Sequence, residues 1–208
     1  MKIFQFFLLF LYLLVAPKTS LGNDFNVVDF FNKIDTMHAE FIQKNKDVSS
    51  SSIIQGSGQI FLEKPNKLFW EMQEPYKKTM VIDGSTMIFY DEDLNQALIS
   101  DYIEDNNSSW VNLFLNDKHN NDAMLIKEQT LIDDQYYVSF MIDDFRDQYK
   151  SVIFVFQNER LNKVKLEDLH SQIIEIEFTT LEINATIIET LFNYTVPQSA
   201  DIIDQRRQ

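Results

Sequence analysis

Lys67-Leu68-Phe69-Trp70-Glu71-Met72 sets the pattern for this chain: Leu68, Trp70 and Met72 fall on one side, Lys67, Phe69 and Glu71 on the other. A period of two belongs to a strand, whose successive side chains alternate across a sheet. Working outward, Met80 and Ile82 alternate with Thr79 and Val81. Asp83-Gly84 is a hairpin turn signal, and Met87 and Phe89 resume on the next strand. Further along, Ile174, Ile176 and Phe178 oppose Glu175 and Glu177, while Phe192, Tyr194 and Val196 oppose Asn193 and Thr195. Lys163 and Lys165 alternate with Val164 and Leu166 as one solvated strand face. Such alternation predicts antiparallel meanders, nine or more strands in all, with one face buried and the other wet.

Helical material is scarce. Val27, Phe30, Phe31 and Ile34 recur at i, i+3, i+4 and i+7, with Asn23, Asp24 and Asn26 as cap candidates, which predicts an amphipathic helix of about three turns. Ala39 to Gln43 reads as extended, and the polar run Lys44 to Ser52 as a loop. Ser108 ahead of Trp110, Leu113 and Phe114 predicts a second short helix. The fold class is therefore mainly β with a few short α-helices. With no linker, repeat or composition break, residues 23–208 are expected to form one domain.

The first 22 residues have a different character. Met1-Lys2 is a short positive start, Ile3 to Ala16 is a nearly unbroken apolar run, and Ser20-Leu21-Gly22 offers small residues for cleavage. That is the layout of a signal peptide, with an apolar run short of the ~20 residues of a bilayer span. Export is expected, with cleavage near Gly22. The chain has no cysteine, so no disulfide forms and no acylated cysteine can anchor it. Its net charge of −14 and lack of a basic patch speak against nucleic-acid binding.

Catalytic signals are absent. His38, His119 and His170 have no ligand-like spacing, no serine sits in a nucleophile elbow, and four glycines cannot assemble a phosphate-cradling loop. Asp91-Glu92-Asp93-Leu94-Asn95 begins like a calcium loop, but Gln96 and Tyr102 stand where that loop requires glycine and glutamate. A solvated acidic turn is expected there instead. The expected absences are thus a metal, a cofactor and an enzymatic activity. A large one-sided sheet must nonetheless bury its apolar face. Barrel closure, a second sheet or a helical cap would each do so. The last leaves an apolar cavity, for which phenylalanine, tryptophan and methionine suit an adaptable lining.

Beyond pattern, the ordered motifs resemble a family. Gly56, Gly58, the strand Gln59 to Glu63, Lys64-Pro65, and then Leu68-Phe69-Trp70-Glu71 are similar to a segment of the LolA family of periplasmic lipoprotein carriers. Pro75, Asp83-Gly84, Tyr90-Asp91 and Leu94-Asn95-Gln96 follow in family order, as do Ala39 to Gln43 before them and Phe192 to Pro197 and Ala200 to Asp204 after. The resemblance implies an unclosed antiparallel β-barrel with a helical lid over an apolar cavity. It implies a periplasmic, monomeric chaperone taking lipoproteins from an inner-membrane ABC lipoprotein-releasing complex to an outer-membrane lipoprotein acceptor. A LolA-like lipid- or glycolipid-binding protein with other cargo is the alternative. The acyl-chain-binding residues so implied are Leu68, Trp70, Met72, Met80, Ile82, Met87 and Phe89. Lys64 stands where the family favours arginine, and is the expected lid contact; its ammonium offers a point charge in place of a planar fork.

Overall fold

A computed structural model describes residues 25–47, 52–102, 110–115, 126–140 and 149–207. Residues 1–22, Asn23, Asp24, Ser108 and His119, and the sequence expectations that rest on them, lie outside the described residues. The first element is helix α1 (Val27–Asn32), followed by β1 (Thr36–Asp47), β2 (Ile53–Glu63), β3 (Lys67–Glu74), β4 (Lys78–Asp83), β5 (Thr86–Asp91) and β6 (Gln96–Asp101). Helix α2 (Asn112–Leu115) precedes β7 (Ile126–Ile132), β8 (Gln135–Phe140), β9 (Tyr149–Gln157), β10 (Arg160–Asp168) and β11 (Gln172–Ile183). A 3-10 turn (Glu189–Phe192) and β12 (Asp201–Asp204) end the chain.

The twelve strands of the described residues form one sheet, ordered β12-β6-β5-β4-β3-β2-β1-β11-β10-β9-β8-β7. The chain starts in the middle with β1, meanders outward to β6, crosses to the far edge at β7, and meanders back until β11 pairs with β1. Every pairing is antiparallel except that of β12, which adds parallel to β6. With β12 and β7 as its two edges, the barrel is unclosed. It is strongly curled, because Trp110 meets both Trp70 on β3 and Phe154 on β9, with ring centroids 5.6 and 6.1 Å away. Those strands are five places apart, about 24 Å in a flat sheet at ~4.8 Å per strand.

Both helices lie inside the curl, where Phe31 of α1 and Phe114 of α2 are fully buried with ring centroids 4.9 Å apart. Each such side chain contributes about 1.5–3 kcal/mol by leaving water. Asn26 caps α1, its Oδ1 accepting from the Val28 and Asp29 amides. The helix is shorter than its apolar spacing predicts, six residues rather than three turns, and Ile34 is buried beyond its end. Asn184, at the end of β11, stops it. Its Nδ2 donates to the Lys33 carbonyl at 2.8 Å and its Oδ1 accepts from Asp35 N at 2.8 Å, turning the chain into β1.

Two other expectations are corrected. Lys44 to Asp47 is strand, because β2 and β11 pair with it from both sides and satisfy its backbone whatever its side chains. Phe192 to Val196 is not strand. Asn193 leaves the 3-10 turn with its amide on Thr190, and the segment crosses the outer face of the sheet, where Phe192 packs with Phe69 and Val81. Elsewhere the outer face carries ion pairs, such as Lys163 and Lys165 facing Glu175 and Glu177.

Candidate lipid-binding cavity

The register of β3, β4 and β5 sorts the inward side chains into rows. Leu68 faces Ile82, which faces Met87; Trp70 faces Met80, which faces Phe89; Met72 faces Lys78, which faces Asp91. Successive rows are two residues apart along each strand, about 7 Å. The first row lies at the end where the helices pack. Leu68 is 0% and Ile82 4% exposed, and Met87 is half-buried against the same core.

The second and third rows open into a cavity of about 280 Å³, lined by Trp70, Met72, Lys78, Met80, Phe89, Trp110, Val111 and Tyr149. Four of the seven residues expected to bind acyl chains, Trp70, Met72, Met80 and Phe89, therefore line it. Leu68, Ile82 and Met87 do not, because α1 and α2 already fill the space above their row. Parity along a strand identifies the inward face but not how far down it the helices reach. Trp110, Val111 and Tyr149 come from remote parts of the chain, and Lys78 shares the parity of Met80 and Ile82 but is polar, so sequence reasoning passed over all four. Burial pushes the Tyr149 hydroxyl above its ordinary range, with the Asp168 carboxylate adding to the effect.

Among the described residues, Asp91 is the buried charged side chain of the inner face, 7% exposed. Its Oδ2 lies 2.9 Å from Lys78 Nζ, and its Oδ1 accepts from Leu94 N at 3.2 Å, closing the turn to β6. The Lys78 hydrogen bond, helped by that amide, holds the Asp91 carboxyl below the ordinary carboxylate range against the opposing effect of burial. Glu92 to Leu94 are exposed, so this is a solvated acidic turn with one inward carboxylate.

At the closed end, Lys64 Nζ donates to the carbonyl of Phe31 at 2.8 Å, the last turn of α1. The adjacent Asn66 amide donates to the Leu115 carbonyl, the last residue of α2, at 3.3 Å. The short connection between β2 and β3 thus holds the carbonyl ends of both helices. A wider cleft of about 660 Å³ beside α1 includes Asp29, Lys33, Glu159, Arg160 and Glu182 in its wall. Its size is greater, but so many charges suit it poorly to hydrocarbon.

The chain is similar to proteins of known name along most of its length. It is 27% identical over 198 residues to the outer-membrane lipoprotein carrier protein of Shewanella loihica, covering 93% of this chain and 91% of that one. Its counterpart of the same name in Methylococcus capsulatus is 23% identical over 177 residues, covering 85% of each. Among solved structures, an uncharacterized conserved protein from Thermus thermophilus superposes with a TM-score of 0.53 at 8% identity, covering 86% of this chain and 94% of that one, which supports the fold alone. Residues 32–195 match the family described as outer membrane lipoprotein carrier protein LolA, and the chain belongs to that family.

Proposed function

We propose that this protein carries lipoproteins through the periplasm, holding their acyl chains away from water. The observation that carries the reading is the apolar cavity on the inner face of an unclosed barrel, bounded by Trp110 and Val111 just ahead of α2, in a chain of the LolA family. Each methylene kept from water is worth ~0.8 kcal/mol, so the free lipid moiety cannot cross the aqueous space unaided. The cargo is received from an inner-membrane ABC complex and passed to an outer-membrane acceptor, and the carrier acts as a monomer. Residues 1–22 serve as the signal peptide, so N-terminal sequencing of the secreted protein should begin close to Asn23.

The cavity is narrow for such cargo. At about 280 Å³ it lies below the ~300–1,000 Å³ range of pockets for drug-sized ligands, and one long acyl chain already exceeds it. Admission therefore moves the roof, and Trp110 with α2 is the part that both closes the cavity and packs against Trp70. Both tryptophans of the chain line the cavity, so intrinsic fluorescence reports on it directly. A purified acylated lipoprotein should shift that fluorescence. Met80→Glu, which puts a charge on the cavity wall at a half-buried position, should abolish the shift while the far-ultraviolet spectrum stays that of the parent. Undiminished binding by this variant would place the acyl site elsewhere.

A further inference from the structure

The third inward row breaks the apolar pattern of the first two. Alternation along β4 and β5 continues from Met80 to Lys78 and from Phe89 to Asp91, so an ion pair stands where the cavity meets its mouth. The carboxylate has a local explanation, since Asp91 Oδ1 closes the turn through Leu94 N. An asparagine would close that turn as well. The lysine offsets that carboxylate, a charge the turn itself does not require. An apolar side chain at that place would extend the cavity wall, whereas Lys78 brings an ammonium, its side chain 43% exposed, to the edge of Trp70, Met72 and Met80. An ammonium has three donors, and the ion-pair partner of Lys78 among the described residues is Asp91.

We propose that Lys78 receives the ester carbonyl oxygens of an acylated glycerol whose chains occupy the Trp70–Met80–Phe89 row. The inference rests on the carrier reading and adds to it the polar end of the ligand. The geometry suits that ligand class, since Lys78 lines the same cavity one backbone row, about 7 Å, beyond the Trp70–Met80–Phe89 row. Charge selects the acceptor. Because Asp91 already neutralises Lys78, the pair presents N–H donors with little net charge, which favours a neutral carbonyl over a carboxylate or phosphate. Asp91 also holds the ammonium against the wall, so that it need not be ordered when the ligand arrives.

The test titrates tryptophan fluorescence with dioctanoylglycerol, with the dioctyl ether of glycerol, which has matching chains but no carbonyls, and with octanoate. The protein should bind the ester about tenfold more tightly than the ether, the effect of one charge-assisted hydrogen bond. In Lys78→Met/Asp91→Asn, which removes both charges and leaves neither unpaired, the ester-to-ether ratio should fall close to one. A ratio near one in the parent protein, or a ratio kept intact in the double variant, would overturn the inference while leaving the carrier reading in place. So would a Lys78-dependent preference for octanoate over the ester, which would mark an anion site. If neither the ester nor the ether perturbs the fluorescence of the parent protein, the carrier reading fails and this inference with it. The parent comparison needs no variant, so a double variant that fails to fold leaves the test standing.

Discussion

Replacing Lys64 by leucine removes one bond that ties α1 to the β2–β3 connection, and its effect can be sized. The Nζ–O distance to Phe31 is 2.8 Å, the donor is charged, and the acceptor is a carbonyl at the negative end of the helix. Hydrogen bonds to charged groups contribute about 1.5–3 kcal/mol. Because Lys64 is only partly buried, the lower figure applies, and ~1.4 kcal/mol is a factor of ten in an equilibrium. A helix of six residues has little stability of its own. Opening of α1 should therefore become about tenfold more frequent. Hydrogen exchange reads this directly at the Phe30 and Lys33 amides, which donate to the Asn26 and Asp29 carbonyls. The Glu92 amide, bonded to the Lys77 carbonyl across the β4–β5 end and remote from α1, serves as the internal reference. On the carrier reading, Lys64→Leu also retains cargo longer and slows its transfer to acceptor vesicles, whereas Lys64→Arg, with its larger donor set, favours the closed form. Equal exchange at Phe30 and Lys33 and equal transfer rates in all three proteins would refute the argument and leave Lys64 a surface charge.

Other consequences follow from single positions. Leu68→Ala, in the fully buried first row, should cost about 2–5 kcal/mol in urea unfolding, and a charge there should unfold the protein rather than block its cavity. Gly58→Ala should destabilise by about 1–3 kcal/mol, because a Cβ there would collide with the Glu71 carbonyl across the β2–β3 bulge and would press on the Phe41 ring at 2.8 Å. The depressed folded-state pKa of Asp91 means that its ionised form stabilises the fold above the ordinary carboxylate pKa of 3.8, and that this is lost as pH falls through the lower folded value. The stability difference between the parent and Asp91→Asn should thus be flat above about pH 5 and shrink below about pH 4; a difference independent of pH would contradict the Lys78 hydrogen bond as its cause.

Inward and outward faces were legible in the sequence wherever one face is wet, because alternation then separates Leu68, Trp70 and Met72 from Lys67 and Glu71 without reference to any neighbour. The pattern failed where backbone pairing, not side-chain burial, decides. Lys44 to Asp47 carries no apolar signal, yet two flanking strands fix it as strand. The spacing of Phe192 and Tyr194 fits an extended chain, but the segment joins no ladder of the sheet, and Phe192 instead fills a small outer core against Phe69 and Val81. The end of α1 was illegible for another reason, since Asn184, which stops it, lies 151 residues from Lys33 in sequence. The cavity was half legible for the same reason. The Trp70, Met80 and Phe89 row follows from parity, while the depth at which the helices stop and the arrival of Tyr149 and Trp110 are settled by the curl of the whole sheet.

The same curl governs how such a carrier could let go of its cargo. The roof is held over the cavity by interactions of two kinds. Trp110 packs edge-on against Trp70 and Phe154 of the sheet, with ring centroids 5.6 and 6.1 Å away, and such pairs add only about 0.5–1.5 kcal/mol each beyond their burial. Directional bonds tie both ends: Lys64 and Asn66 hold the carbonyl termini of α1 and α2, and the Tyr102 hydroxyl donates to Asn112 Oδ1 at the start of α2 at 3.3 Å. Lifting the Trp110 side therefore costs the Tyr102–Asn112 hydrogen bond as well as the ring contacts. When the roof lifts, the aromatic surfaces that part from one another are covered again by hydrocarbon. Opening thus costs little once an acyl chain is present and much when only water can enter. Aromatic contacts that narrow the cavity compete with the cargo for the same apolar surface, which favours release. Methionine at 72 and 80 suits both states, because an unbranched thioether packs equally well on an indole ring or an acyl chain.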